Sequence, residues 1–211
     1  VSSKQVGNVT LDQGEELTTG NGRAEVLLTP GVFLRVDKNS AVKMVSPMLD
    51  LTQVELEKGK AGVEVDEIHN ENNLQMIDAG VQTRLQKTGY YEFNANHPEV
   101  MVFKGKADVE IPDTNGKPVK GNHEFLLAGA AAGRPIADEK EQKLKDDRAD
   151  DGLFNWSKLR SEYLAEANNQ MSQEYGGDAY PGWYWDPYMT GYTYMGGGPF
   201  FSPFGWGFAP F

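Results

Sequence analysis

Val54-Glu55-Leu56-Glu57-Lys58-Gly59-Lys60-Ala61-Gly62-Val63-Glu64-Val65 sets alternating apolar and polar side chains on either side of a glycine. A period of two puts every second residue on one face of an extended strand, and Gly59, without a Cβ, suits the bend between the two runs. The second half of the stretch, Lys58-Gly59-Lys60-Ala61-Gly62-Val63-Glu64-Val65, returns 46 residues later as Lys104-Gly105-Lys106-Ala107-Asp108-Val109-Glu110-Ile111. Two similar hairpins or coils are implied. The same pattern spreads outward: Ala24 to Val36 around Pro30-Gly31, Leu74 to Phe93 around Gly80 and Gly89, and Val100 to Ile111 around Gly105. From Gly14 to about Glu110 the chain therefore reads as mainly β, with each of these glycines a turn. A duplicated strand-Gly-strand unit either stacks into a short β-solenoid or β-roll or closes into a sandwich. The spacing leaves both open, and the roll is preferred.

Asp113-Thr114-Asn115-Gly116-Lys117-Pro118 has the chemistry of a hairpin tip, and Gly121 to Ala128 reads as its return strand, closing a β domain over residues 1–128. Residues 129–150 read as a charged linker, with Asp138 to Asp151 either linker or solvated helix. Asp150 or Asp151 then caps an amphipathic helix over 151–174. Its apolar stripe of Leu153, Trp156, Leu159, Tyr163, Ala167 and Met171 is expected to lie across the β domain as ordinary core packing.

Residues 175–211 hold 14 of the chain's 23 aromatic side chains, nine of its 24 glycines, five of its 11 prolines and no Lys or Arg. Each ring gains about 1.5–3 kcal/mol on leaving water, so a solvated tail of this kind invites association. Trp183-Tyr184-Trp185 and Tyr192-Thr193-Tyr194-Met195 are strand-like, while Pro181, Pro187, Pro199, Pro203 and Pro210 forbid any long strand or helix. The expectation is an extended aromatic assembly tail that docks on a neighbouring subunit by β-augmentation. Its interface would be Tyr180, Trp183, Tyr184, Trp185, Tyr188, Tyr192, Tyr194, Phe200, Phe201, Phe204, Trp206, Phe208 and Phe211. Donor and acceptor surfaces pointing in different directions would propagate head-to-tail into a filament.

The chain has 211 residues, of which 39 % are hydrophobic, enough for one core with an annex. A net charge of −11 argues against a nucleic-acid or anionic-membrane surface, which needs clustered Lys and Arg. The chain has no cysteine, which excludes disulfides, thiol catalysis and zinc-thiolate sites. A start at Val1, without a charged leader or a long apolar run, leads to the expectation of an exported mature product in the periplasm or outside the cell, with no membrane span.

Gly14-Glu15-Glu16-Leu17-Thr18-Thr19-Gly20, the run Gly22 to Val36 and Asn39-Ser40 resemble the opening of the FecR-type domain. Val54 to Ala61 is similar to that family's central strand-turn-strand, and Val100 to Ala107 to its later one, so the resemblance spans about residues 10–111. It implies an extracytoplasmic, β-solenoid-like domain that binds other proteins and has no known catalytic centre. The cytoplasmic anti-sigma segment and transmembrane helix of signalling members would have to precede Val1, which puts sigma-factor control in question. Asp151 to Ser157, Ala167-Asn168 and the aromatic tail resemble exported FecR-domain proteins of environmental bacteria such as acidobacteria.

No catalytic, cofactor or metal site emerges. His69, His97 and His123 lack paired ligand spacing, no serine sits in a nucleophile elbow, and there is no phosphate loop. Asp146 to Gly152 fails as an EF-hand loop, because Ala149 and Lys158 fall on ligand positions. Asn8-Val9-Thr10 and Asn155-Trp156-Ser157 are glycosylation-type triplets, of which Asn8 is the better acceptor. The leading expectation is a non-enzymatic, exported structural protein that forms a filament with copies of itself. The alternatives are a periplasmic FecR-like protein-binding or regulatory module that meets an envelope protein with its tail folded back, and a glycan-binding surface protein whose tail rings stack on sugars.

Overall fold

The computed structural model describes residues 9–69, 71–111, 113–127, 136–145, 151–175, 182–186, 191–195 and 199–208. Two seven-stranded sheets make the body. The first has the order β1 (Glu16–Thr18), β4 (Ala41–Met48), β5 (Leu51–Lys58), β7 (Leu74–Asp78), β8 (Val81–Leu85), β11 (Lys106–Val109), β12 (Lys117–Lys120). The second runs β14 (Gln142–Lys143), β13 (His123–Leu126), β10 (Glu99–Lys104), β9 (Gly89–Asn94), β6 (Lys60–Val65), β3 (Val32–Val36), β2 (Ala24–Thr29). The alternation dictates the packing. Val42, Met44, Val54, Leu56, Leu74, Met76 and Val109 point inward from the first sheet and meet Leu34, Val36, Val63, Val65, Phe93, Val100 and Val102 from the second in one continuous core.

Of the two architectures open from the sequence, the sheets form the sandwich, and the preference for a solenoid or roll is corrected. Stacked solenoid coils pair equivalent strands in parallel, whereas here β5 with β7 is the one parallel pair among the described strands. The chain instead visits the sheets alternately. Gly59 and Gly105, both at positive φ, carry it from one sheet to the other, from β5 to β6 and from β10 to β11. The repeated octapeptide is thus a repeated corner, not a repeated hairpin. At Gly59 a Cβ would collide with Ser40 Oγ, so the corner needs glycine for space as well as for its dihedral. Gly89 is not a turn: it opens β9 opposite Val65, where a Cβ would collide with the Lys104 carbonyl.

The Asp113 to Pro118 tip forms as expected, but its return strand is β12, paired with β11, while the expected return segment crosses to the other sheet as β13. Within the charged stretch, Gln142–Lys143 adds the edge strand β14 to β13 rather than a helix turn. Helix α1 covers Gly152–Tyr175, and Asp151 Oδ1 accepts from the backbone N–H of Leu153 at 2.9 Å and of Phe154 at 3.1 Å, which makes it the N-cap. Beyond α1 lie two short ribbons, β15 (Gly182–Asp186) with β16 (Gly191–Met195) and β17 (Phe200–Phe201) with β18 (Gly207–Phe208).

Candidate interaction surface

The outward phase of the second sheet carries the unusual chemistry. Leu27 and Glu25 on β2, Phe33 and Arg35 on β3, Gly62 and Glu64 on β6, Tyr90 and Glu92 on β9, and Met101 and Phe103 on β10 alternate with the core residues. An outward face of large rings and charges reads as solvated or covered. Here it is covered, by α1 and by the segment 199–208.

The contact has a polar layer and two aromatic patches. Arg35, fully buried, donates Nε to Glu25 Oε2 at 3.0 Å and pairs through Nη1 with Glu64 Oε2. Arg160 of α1 reaches the other Glu25 oxygen at 3.0 Å, and Ser161 Oγ donates to Glu64 Oε1 at 2.6 Å. Tyr90 donates its hydroxyl to Glu92 Oε1 at 2.7 Å and stands 2.9 Å from Ser157 Oγ. Burial alone would push the Arg35 guanidinium down, but the Glu64 and Glu25 carboxylates raise it and keep it charged. Burial pushes Glu25 up, and the charges of Arg35 and Arg160 more than reverse that, so it is held low. Burial raises Glu92, and the Asp151 charge raises it further; Asp66 is raised by burial and by Glu64. Gly62 makes the layer possible, because a Cβ there would collide with the Tyr90 hydroxyl.

The first aromatic patch joins Tyr90, Phe103, Phe154 and Phe204, with Phe103 and Phe154 centroids 4.8 Å apart and Tyr90 and Phe204 5.0 Å apart. The second seats Phe208, with Phe200 and Trp206 around it, on Phe33, Leu164 and Ala165. Phe200 and Phe208 stack at 4.5 Å. Lys104 Nζ donates to the Pro203 carbonyl at 3.3 Å, and Asn169 Nδ2 to that of Gly207 at 3.1 Å.

Of the residues expected at an assembly interface, Phe200, Phe204, Trp206 and Phe208 pack on the chain's own body, where the sheet's outward rings offer them a receiving surface. Phe201, at 71 % exposure, and Trp185, at 36 %, remain turned to solvent, and Tyr184 is half-buried. Trp183, Tyr192 and Tyr194 lie in the β15–β16 ribbon, and of these three the backbone alone is described; Tyr180, Tyr188, Phe211 and the acceptor Asn8 lie outside the described residues. The helix stripe is rotated from expectation. Leu159 and Tyr163 are exposed, while Ser157, Ser161 and Asn168 are buried beside Leu153, Leu164 and Ala167. His69 and His97 are exposed, and His123 Nδ1 lies 3.0 Å from the Gly121 carbonyl. Sequence reasoning missed Arg35, Glu64, Tyr90, Glu92 and Ser161. The available signal was Phe33, Tyr90 and Phe103 standing in the outward phase, since rings there require a cover.

Residues 15–108 match the FecR protein family. This stretch is a FecR domain. It runs from β1 into β11 and supplies the whole receiving face, while α1 and the aromatic tail lie beyond it. No curated protein matches the chain. Two crystal structures of a Parabacteroides distasonis protein proposed to be an anti-sigma factor are similar, at 12 % and 13 % identity, each over 76 % of this chain and 74 % of theirs with a TM-score of 0.49.

Proposed function

We propose that the chain is a non-enzymatic, exported protein-binding or regulatory module of the FecR type, acting in the periplasm or outside the cell, with its tail folded back on its own domain. The seating of Phe208, Phe200 and Trp206 against Phe33 and Leu164 carries this reading, because it gives the rings shelter without a second subunit. The FecR domain at 15–108 supports protein binding as the job. Surface left to meet an envelope protein includes the β4–β5 tip, where Met48 and Leu49 stand exposed. Among the described residues no helix is long and apolar enough to cross a membrane. Sedimentation velocity of the full chain over a wide concentration range tests the reading. A single monomeric species supports it, and growth with concentration overturns it in favour of a head-to-tail polymer. That second reading rests on Phe201 and Trp185, the described tail rings left most open to solvent, and it requires that Phe201→Ser and Trp185→Ser each abolish the growth.

A further inference from the structure

The chain holds two Asn-Gly steps, Asn21-Gly22 and Asn115-Gly116, and both asparagines are exposed. Such a step can react with itself. Glycine has no Cβ to shield its main-chain nitrogen, so that nitrogen can approach the carboxamide carbon of the asparagine before it. The attack needs an N–H that no acceptor holds, and the two steps differ there.

At the second step the nitrogen is engaged. Gly116 N–H donates to Thr114 Oγ1 at 3.0 Å, and that hydroxyl donates to the Ile111 carbonyl at 3.0 Å. Lys117, the next residue, is already paired with Val109 in the β11–β12 ribbon. At the first step, among the described residues, neither the Gly22 N–H nor the Asn21 carboxamide has a hydrogen-bond partner. The flanks are held: Thr19 N–H donates to the Ser40 carbonyl at 2.9 Å, Asn39 N–H to the Gly20 carbonyl at 2.8 Å, and Arg23 Nε pairs with Asp37 Oδ1 at 2.6 Å. A Cβ placed on Gly20 or Gly22 would meet nothing within 4 Å, so the bend between these anchors stands clear of the body. A cation follows each step, Arg23 or Lys117, so the residues on that side do not rank the two. The fold does.

We propose that Asn21 is a self-modification site, at which the chain converts its own asparagine to isoaspartate and aspartate in preference to Asn115. The Gly22 nitrogen gives its proton to water and bonds to Asn21 Cγ, and the carboxamide nitrogen leaves as ammonia. Water then opens the resulting succinimide. Opening at the side-chain carbonyl gives aspartate; opening at the main-chain carbonyl leaves Gly22 joined through Cγ, which is isoaspartate. One water is consumed, one ammonia is released, and nothing is oxidised or reduced. Both products add a carboxylate, and isoaspartate lengthens the main chain by a methylene, for which the open bend has room. The new charge enters the chain two residues from Arg23, whose guanidinium lies 5.5 Å over the Trp156 ring of α1. The site is independent of which partner the domain binds.

Peptide mass spectrometry on the full chain kept in neutral buffer follows both steps together, by the mass gained when a carboxamide becomes a carboxyl. Isoaspartyl methyltransferase with a labelled methyl donor reports the isomer. Asn21 is expected to convert at least about fivefold faster than Asn115, the rate equivalent of one hydrogen bond of about 1 kcal/mol, with the methyl label on the peptide spanning 21–22. Thr114→Val removes the acceptor from Gly116 and must speed Asn115 by about the same factor while Asn21 is unchanged. Gly22→Ala, at a position without the positive φ of Gly116, must slow Asn21. Conversion of Asn115 as fast as Asn21, or a Thr114→Val chain in which Asn115 is no faster, overturns the proposal. Should Thr114→Val disturb the tip, the wild-type chain unfolded in urea replaces it: the two steps must then convert at similar rates, and a preference for Asn21 that survives unfolding is equally fatal, because the fold would not be its cause.

Discussion

Arg35 shows how a single position in the outward phase of a strand comes to hold a helix. Buried between Glu64 and Glu25, it satisfies two carboxylates that would otherwise face each other under α1. Arg35→Met keeps the stem and removes the charge, leaving Glu64 with Ser161 alone, whereas Glu25 retains Arg160. The expected cost is about 3–5 kcal/mol in urea unfolding at neutral pH, the range for removing one partner of a buried pair; a loss below about 1 kcal/mol would show that water already reaches the cluster. Asp78 lies apart, fully buried on β7, and its carboxyl is pushed up to about 6 from 3.8 by burial and the nearby Glu99 charge. A raised acid stabilises the fold when protonated. Its contribution is complete below about pH 4 and is lost as pH climbs through about 6, a swing of roughly 2–3 kcal/mol. Asp78→Asn should remove that share of the pH dependence, read as a smaller fall in the denaturation midpoint between acid and neutral pH.

At the scale of elements, what was legible followed period and punctuation. The β2–β3 unit, the corner glycines and the Asp151 cap could all be read, because each is fixed by residues adjacent in the chain. Which sheet each strand joins could not. Gly59 between Glu57-Lys58 and Lys60-Ala61 looks locally like a hairpin tip, and only the partners of β5 and β6, distant in sequence, make it a crossing. The helix face was misread for a related reason. Leu159 and Tyr163 outrank serine by hydrophobicity, but the surface that receives α1 offers a carboxylate and a tyrosine hydroxyl to Ser161 and Ser157. Asp151→Ala tests the element's own start. Loss of the cap is expected to cost about 0.5–2 kcal/mol, seen as reduced helical circular dichroism with the β signal retained. Equal loss of both signals would mean that α1 and the sandwich unfold as one unit.

Taken whole, the molecule is a β-sandwich whose second sheet is finished only when α1 and the segment 199–208 lie on it. The docking of segment 199–208 on the sheet determines what its removal does. Truncation after residue 198 takes away Phe200, Phe204, Trp206 and Phe208, and exposes the apolar surface of Phe33, Tyr90, Phe154 and Leu164 that they cover. Each deeply buried ring carries about 1.5–3 kcal/mol of transfer free energy, so the uncovered face is a patch of the kind that recruits other molecules. The truncated protein should bind a hydrophobic dye more strongly than the full chain and associate at concentrations where the full chain stays monomeric, with α1 exchanging hydrogen faster because one side of its packing is gone. Phe208→Ala, which keeps the chain length, should move in the same direction by a smaller step. A truncated chain that stays monomeric and dye-silent would show that the rings of segment 199–208 contribute nothing to covering the sheet, and the shelter they need would again have to be sought on another copy.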